Sequence, residues 1–235
     1  MKKFVSPATI GSLLSFNGGF VDTAGFLGLQ GLFMAHVTGN FVTLGAALAL
    51  GSDGIVGKLL ALPEFILVIA LARLAGAALR KRNKPVLSIL LTAEVALLVA
   101  FFLLAVIYGP FPDPDSPAAL LAGFAGIAAM ALQNAVHRVH LANVPPSTLM
   151  TGSTTQATID AVDLLSGADP EQAAAIRTRF GKLSLSILYF AAGCAVAALL
   201  YWLAGFWCLI VPVIVGAAAA IMRAEASPST HSQRP

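Results

Sequence analysis

The sequence predicts an all-α polytopic membrane protein built from two inverted-topology repeats, each with three transmembrane helices plus one re-entrant or half helix. Of its 235 residues, 58% are hydrophobic and only 11% are charged, and the mean hydropathy is +0.86. One soluble core of this length could not bury that much apolar surface. The chain also contains six apolar stretches of membrane-spanning length and two similar polar strings, and these two features indicate the number of spans and the repeat.

Each of the six stretches reaches the roughly 20 mostly apolar residues that a spanning helix needs. They are residues 8–30, 59–79, 86–108, 118–138, 181–203 and 205–222. The first follows Lys2 and Lys3 and resembles the start of a signal peptide, but Pro7 and Asn17 interrupt it and no small-residue cleavage site follows. We therefore expect it to be retained as the first span.

Two further segments, 36–50 and 148–165, are compatible with helices but are short or polar for a lipid-facing span. If both crossed the membrane, the Lys2 end and the basic cluster at 80–84 would lie on opposite sides. Short basic loops tend to stay cytoplasmic, which disfavours that arrangement. The sequence therefore predicts six full spans with both termini in the cytoplasm, and two segments that enter the membrane and return.

An acidic, proline-rich loop at 110–117 divides the chain into halves. When the two halves are aligned so that Thr38–Gly39 matches Thr151–Gly152, Asp22 falls next to Asn134 in the alignment. Three crossings in each half would make the second half enter from the opposite side, as in many secondary transporters. Chance similarity between small-residue apolar segments is the alternative. The predicted units are a first repeat at 1–112, a second repeat at 113–223 and a disordered C-terminal tail at 224–235.

The polar strings indicate where chemistry could occur. Irregular backbone within a bilayer must be surrounded by protein or a water-filled cavity, so residues 31–37 and 143–147 are expected to be buried extended arms. Short helices would then begin near Thr38 and Thr151, with their unpaired amides directed to the membrane centre. Two such helix starts would form a site suited to an anion.

Asp22 lies about 14 residues into the first span, which is roughly 21 Å along a helix axis, so it needs a partner or a proton. His36 could be that partner. The pair would then either couple protons to transport or only fix the first arm. In the second half, Gln133 and His137 lie one helical turn apart, beside Asn134. The candidate substrate-binding residues are Asp22, His36, Thr38, Gly39, Asn40, Gln133, Asn134, His137, Thr151, Gly152 and Ser153.

Arg73 and Glu94 flank the 80–84 turn at similar distances, so antiparallel helices would bring them to similar depth. We expect a structural ion pair, with a gate as the alternative. Gln156, Asp160 and Asp163 share one helix face, which is expected to be solvated. The sequence contains no Walker A motif, no G-x-S-x-G elbow, no H-E-x-x-H motif and no Cys/His cluster. We therefore expect no enzymatic activity, no cofactor and no metal site.

Three strings carry a resemblance to a known family: "NGGFVDTAGFLGLQGLFMAHVTGN" at 17–40, "ALQNAVHR" at 131–138 and "MTGSTTQ" at 150–156. Together they resemble the YoaK-like family of bacterial inner-membrane proteins, a domain of unknown function. The resemblance implies about six spans and a location in the bacterial inner membrane, but it supplies no substrate. His137 stands where the resemblance leads us to expect an apolar or basic residue.

These observations favour a secondary transporter or permease for a small polar or anionic solute, bound at mid-membrane between the two half-helix N-termini. The alternative is a non-transport membrane scaffold or sensor, and an enzyme acting on lipids is less favoured. The expected partners are the small-molecule or ion substrate and the lipid bilayer, and a homo-oligomer is possible. The net charge of +3 does not indicate nucleic acid, because the basic residues lie in short clusters between apolar runs.

Overall fold

The computed structural model describes residues 7–167 and 169–226, and all regular structure within them is helical. The helices are α1 (Pro7–Gly28), α2 (Gly39–Leu50), α3 (Ile55–Lys81), α4 (Val86–Tyr108), α5 (Pro117–His140), α6 (Met150–Leu165), α7 (Pro170–Ala204) and α8 (Ile210–Ala226), with a short 3₁₀ turn, Gly205–Leu209, between the last two. The predicted all-α class is confirmed.

Six of these helices overlap the six apolar stretches, and α2 and α6 overlap the two polar segments. The largest differences are at α7, which begins at Pro170 and not near 181, and at α8, which begins at Ile210 and not at 205. α8 continues to Ala226, three residues into the predicted tail. The rest of that tail, 227–235, lies outside the described residues, as do Lys2 and Lys3.

Four described segments are long and apolar enough to cross a membrane: Ile55–Lys81, Val86–Tyr108, Pro117–His140 and Pro170–Arg223, the last of which joins α7 to α8. Large apolar side chains also cover the outer surface. Leu50 is 81% exposed, Trp202 is 80% exposed and Leu74 is 67% exposed. Soluble monomers rarely expose such a surface, so the fold is that of a membrane protein.

The helices α1 and α7 run in the same direction and make the most extensive helix contact in the described protein. The hydroxyls of Ser15 and Ser186 lie 2.8 Å apart near one end of the pair, and Gly28 lies against the ring of Phe206 at the other end. Between these points, Gly19 faces the carbonyl of Phe190. Because glycine has no side chain, the two backbones can touch at this crossing.

The helices α3 and α5 form a second parallel pair, which runs opposite to α1 and α7. Asp115, just before α5, accepts hydrogen bonds from the first amides of α3, at 3.0 Å from Ile55. In α5, Gly123 and Gly126 face Leu32 and Met34 respectively, residues that follow the end of α1. α5 therefore starts at the side of the molecule where α1 ends. α4 packs mainly against α5 and α8.

Two irregular segments fold back along the helix that precedes them, and we call them the first arm (residues 29–38) and the second arm (residues 141–149). The first arm turns at Gln30 and Gly31, whose φ angles of 49° and 88° lie in the left-handed region. The Gln30 side chain holds this turn against the 110–117 loop by donating to the carbonyls of Phe111 and Pro112, at 3.1 and 3.0 Å. Each arm then leads into a short helix, α2 or α6.

The close crossing of α1 and α7 gives a direct test of the fold. A methyl group at Gly193 would overlap the carbonyl oxygen of Phe16, and one at Gly19 would overlap that of Phe190. We expect Gly193→Ala and Gly19→Ala each to destabilise the protein by about 1–3 kcal/mol through overpacking.

The control is Gly181→Ala on the same helix α7, where an added methyl group meets no atom within 4 Å. This change should be neutral or slightly stabilising, because alanine favours a helix by about 1 kcal/mol over glycine. Thermal unfolding of the detergent-solubilised variants would measure both effects. Equal melting temperatures for all three variants would contradict the crossing.

Candidate functional site

Asp22 holds the first arm through the arm's backbone. Its side chain is only 6% exposed, and its Oδ1 accepts hydrogen bonds from the amides of Met34, Ala35 and His36 at 2.8, 2.7 and 3.2 Å. Consecutive amides that converge on one oxygen make an anion-binding concavity. The sequence predicted His36 as a partner of Asp22, and the hydrogen bond that joins them uses the His36 backbone amide. This geometry gives Asp22 a structural role in fixing the arm.

Asn40 closes the same arm one turn further on. It is 1% exposed, accepts from the Phe33 amide at 2.8 Å and donates to the Phe33 carbonyl at 2.9 Å. The first amides of α2, at Gly39, Asn40 and Phe41, donate to carbonyls three residues earlier. The open amides predicted at this helix start are therefore already bonded, because the chain enters α2 through a tight 3₁₀-like turn.

The second arm is held by side chains of α5. Asn134 accepts a 2.6 Å hydrogen bond from the Thr148 hydroxyl, and Gln133 donates to the Ser147 hydroxyl at 3.0 Å. His137 Nε2 lies 3.1 Å from the Val144 carbonyl. The second arm thus contacts successively earlier turns of α5 as it returns along that helix. Within the described part of the chain, no side chain caps the start of α6, the helix that follows this arm.

A cavity of about 790 Å³ lies between the two arms. The first arm contributes His36 and Thr38, and the second contributes residues from Ala142 to Leu149. The predicted site residues that line this cavity are His36, Thr38, Asn134, His137, Thr151 and Gly152. Five predicted residues do not line the cavity: Asp22, Gly39, Asn40, Gln133 and Ser153. Of these, Asp22, Asn40 and Gln133 hold the arms in place.

The cavity is cationic. Arg73, Arg80, Arg138 and His140 line it together with His36 and His137, and no carboxylate occurs among the described residues of its wall. Arg73 and Arg80 are both close enough to His140 for their charges to act on it. The sequence analysis did not place Arg73, Arg80, Arg138 and His140 in this site. The spacing of Arg73 and Arg80 could have indicated it, because residues seven apart lie on one face of α3.

The predicted ion pair between Arg73 and Glu94 is wrong. Glu94 is completely buried, and neither of its carboxylate oxygens has a hydrogen-bond partner among the described residues. Arg73 lies in the cavity wall instead. The prediction failed because α4 packs against α5 and α8 and makes few contacts with α3, its neighbour in sequence.

The expected solvated face of α6 is also wrong at Asp160. This residue is fully buried and binds Arg179 of α7, with 2.6 Å between Nη2 and Oδ1. Gln156 donates to the same oxygen at 2.8 Å. The hydrogen bond from Arg179 lowers the pKa of the Asp160 carboxyl below its ordinary value. This pair joins α6 to α7 just beyond the second arm.

Comparison with known protein families gives one decisive result. The family model described as "Protein of unknown function (DUF1275)" matches residues 10–222, a range that includes both arms and every lining residue of the cavity. The chain belongs to this family. Its membership confirms the resemblance seen in the sequence. No curated protein and no solved structure matches the chain.

The role of Asp22 can be tested by stability. Asp22→Ala removes the acceptor of three amides, and each buried amide left without a partner costs about 1–3 kcal/mol. Asp22→Asn keeps one carbonyl oxygen at this position and should be destabilised less. We therefore expect the melting temperature to fall in the order wild type, Asp22→Asn, Asp22→Ala.

The matched control is Asp163→Ala, because Asp163 is exposed on α6. Its melting temperature should stay at the wild-type value. A stability of Asp22→Ala equal to that of this control would contradict the proposed attachment of the arm.

Proposed function

We propose that this protein is a permease for a small anionic solute in the bacterial inner membrane, and that the cavity between the two arms binds the solute. The single observation that carries this proposal is the cationic wall of the cavity, which has three arginines and three histidines and no carboxylate among its described residues. Rings of arginine or lysine are the usual means by which pores select anions. Arg73 lies two turns inside α3, and an unpaired cation within a membrane helix also indicates a substrate pathway.

The size and lining of the cavity support this function. Its volume of about 790 Å³ falls within the roughly 300–1,000 Å³ that is typical of small-molecule sites. Its wall combines the cations with apolar side chains, among them Phe65, Ile69 and Phe190. An anion in this cavity would be attracted by the charges of Arg73, Arg80 and Arg138, whose side chains are exposed and free to turn toward it.

We also propose that the two halves are inverted repeats. If α1–α4 are exchanged with α5–α8, α1 takes the place of α5 and α7 takes the place of α3. The parallel pair of α1 and α7 then corresponds to the parallel pair of α5 and α3, and the contact of α4 with α5 corresponds to the contact of α8 with α1. The two parallel pairs run in opposite directions. Asp22 and Asn134 each lie six residues before the end of their helix, at Gly28 and His140, and each holds the following arm.

This arrangement supports six crossings, by α1, α3, α4, α5, α7 and α8, with α2 and α6 as re-entrant helices and both termini in the cytoplasm. The two arms then enter from opposite faces of the membrane and meet at the cavity. Secondary transporters with inverted repeats place their substrate site at this kind of position, and they expose it to each side in turn by moving one bundle against the other.

Labelling tests the topology. In a variant with Cys194 and Cys208 replaced by alanine, we would introduce a single cysteine at the exposed positions Asp53 or Lys84. A membrane-impermeant maleimide should label Asp53→Cys from the periplasmic face and Lys84→Cys only after access to the cytoplasmic face. Labelling of both positions from one face would contradict the inverted arrangement.

Uptake into proteoliposomes tests the function. Carboxylates, phosphate and sulfate would first be screened for a rise in melting temperature, because a ligand of the folded state stabilises it. The anions that bind would then be measured as labelled solutes. We expect uptake by the wild type and a loss of about tenfold or more in Arg73→Gln and Arg138→Gln, equivalent to at least 1.4 kcal/mol.

The control is Arg177→Gln, which removes the same charge from an exposed position of α7 outside the cavity. It should transport like the wild type. Folded protein that binds and transports none of these anions would reject the permease and favour a scaffold or sensor.

A further inference from the structure

The wall that α3 contributes to the cavity has two chemically different parts. Arg80 and Arg73 line the cavity near the end of the helix, whereas Ile69 and Phe65 line it further in. Ile69 lies 11 residues and Phe65 lies 15 residues before Arg80, which is about 16 and 22 Å along a helix axis. No charged residue occurs between Phe65 and Arg73 in the sequence. The inner part of this wall is therefore apolar.

The charged part lies at one end of the cavity. Arg138 and His140 are in the last turn of α5, and α5 runs parallel to α3. The ends of both helices are therefore on the same side of the molecule, and the charge of Arg80 acts on His140. We call this part of the cavity its basic end.

The apolar part of the wall is open to a molecule in the cavity. Phe65 and Ile69 are only partly buried, and so are two further lining residues, Phe190 of α7 and Met150 at the start of α6. Hydroxyl groups such as that of Thr38 interrupt this surface without adding a charge. A bound molecule could therefore cover apolar side chains while its charged group stays at the basic end.

The volume of the cavity favours such a molecule over an inorganic anion. A phosphate or sulfate ion held by the arginines would fill only a small part of the 790 Å³ and would leave Ile69 and Phe65 uncovered. Ligands of small-molecule sites usually bury most of their surface against apolar walls, and a few polar groups fix their orientation. A ligand with an apolar body would gain about fourfold in affinity for each methylene that it buries.

We propose that the solute is an amphipathic anion, whose acid group binds at the basic end and whose apolar body lies along the inner part of α3. Guanidinium groups suit the acid group, because they can donate two parallel hydrogen bonds to it. Arylalkanoic and medium-chain carboxylates are the simplest molecules with this chemistry. This inference rests on the proposed permease function and narrows its substrate class.

Three related ligands test the inference on the full-length protein in phosphatidylcholine nanodiscs. 3-Phenylpropionate has both an acid group and an apolar body, propionate lacks the apolar body, and 3-phenylpropanamide lacks the charge. Calorimetric titration would measure their affinities, with empty nanodiscs as the reference for partition into lipid. We expect 3-phenylpropionate to bind at least tenfold more tightly than either of the other two.

Two variants then assign this preference to the two parts of the wall. Arg73→Gln should weaken the binding of 3-phenylpropionate at least tenfold and leave that of the amide unchanged. Ile69→Ser should remove most of the preference for 3-phenylpropionate over propionate, because it places a hydroxyl in the apolar part. The control is Leu67→Ser on the same helix, at a position that is 57% exposed and outside the cavity. It should keep the wild-type preference.

The possible failures can be distinguished. If propionate, phosphate or sulfate binds the wild type at least as tightly as 3-phenylpropionate, the inference is wrong although the permease proposal stands. Equal affinity for the amide would also overturn it, because the arginines would then contribute nothing. Loss of 3-phenylpropionate binding in nanodiscs that contain phosphatidylglycerol would assign the site to a lipid and overturn it as well.

If neither the carboxylates nor the inorganic anions bind, the permease proposal itself fails. Should Ile69→Ser not fold, the comparison of the three ligands on the wild type still decides the matter.

Discussion

The contact of the Asp22 carboxylate with three consecutive amides of the first arm is the interaction on which the rest of the site depends. An extended segment within a membrane protein must satisfy every backbone amide internally. One buried oxygen does this for Met34, Ala35 and His36 and fixes the depth at which the arm stops. The start of α2 and the cavity-lining side chain of Thr38 follow from that depth. A polar residue in α1 is thus a structural requirement of the arm beside it.

The two arms use the same plan with different chemistry. The first is held by one side-chain oxygen of Asp22, which accepts from three consecutive backbone amides. The second is held by neutral groups, chiefly Asn134 with Thr148 and Gln133 with Ser147. Each arm is thus fixed to the helix that precedes it by buried polar side chains of that helix.

The sequence predicted the helices and the location of the arms because its strongest signals are local. Apolar length identifies a span, and threonine, asparagine and histidine within apolar sequence identify a segment that protein must surround. The errors concern contacts between distant helices. Equal spacing from the 80–84 turn could not show that Glu94 is buried while Arg73 lines the cavity. The partners of α3 and α4 are determined by the packing of the whole bundle, in which α4 contacts mainly α5 and α8. The pairing of Asp160 with Arg179 was missed for the same reason.

The glycine crossing of α1 and α7 has a mechanical consequence. Gly19 and Gly193 bring two backbones together with no side chain between them that could change rotamer, so this pair can neither slide nor separate without breaking its own contact. In the permease proposed above, opening the cavity first to one aqueous compartment and then to the other would require this rigid pair to rotate against the pair formed by α3 and α5. The arginines of the cavity wall are carried by α3 and α5, so a solute bound by them would move with that pair.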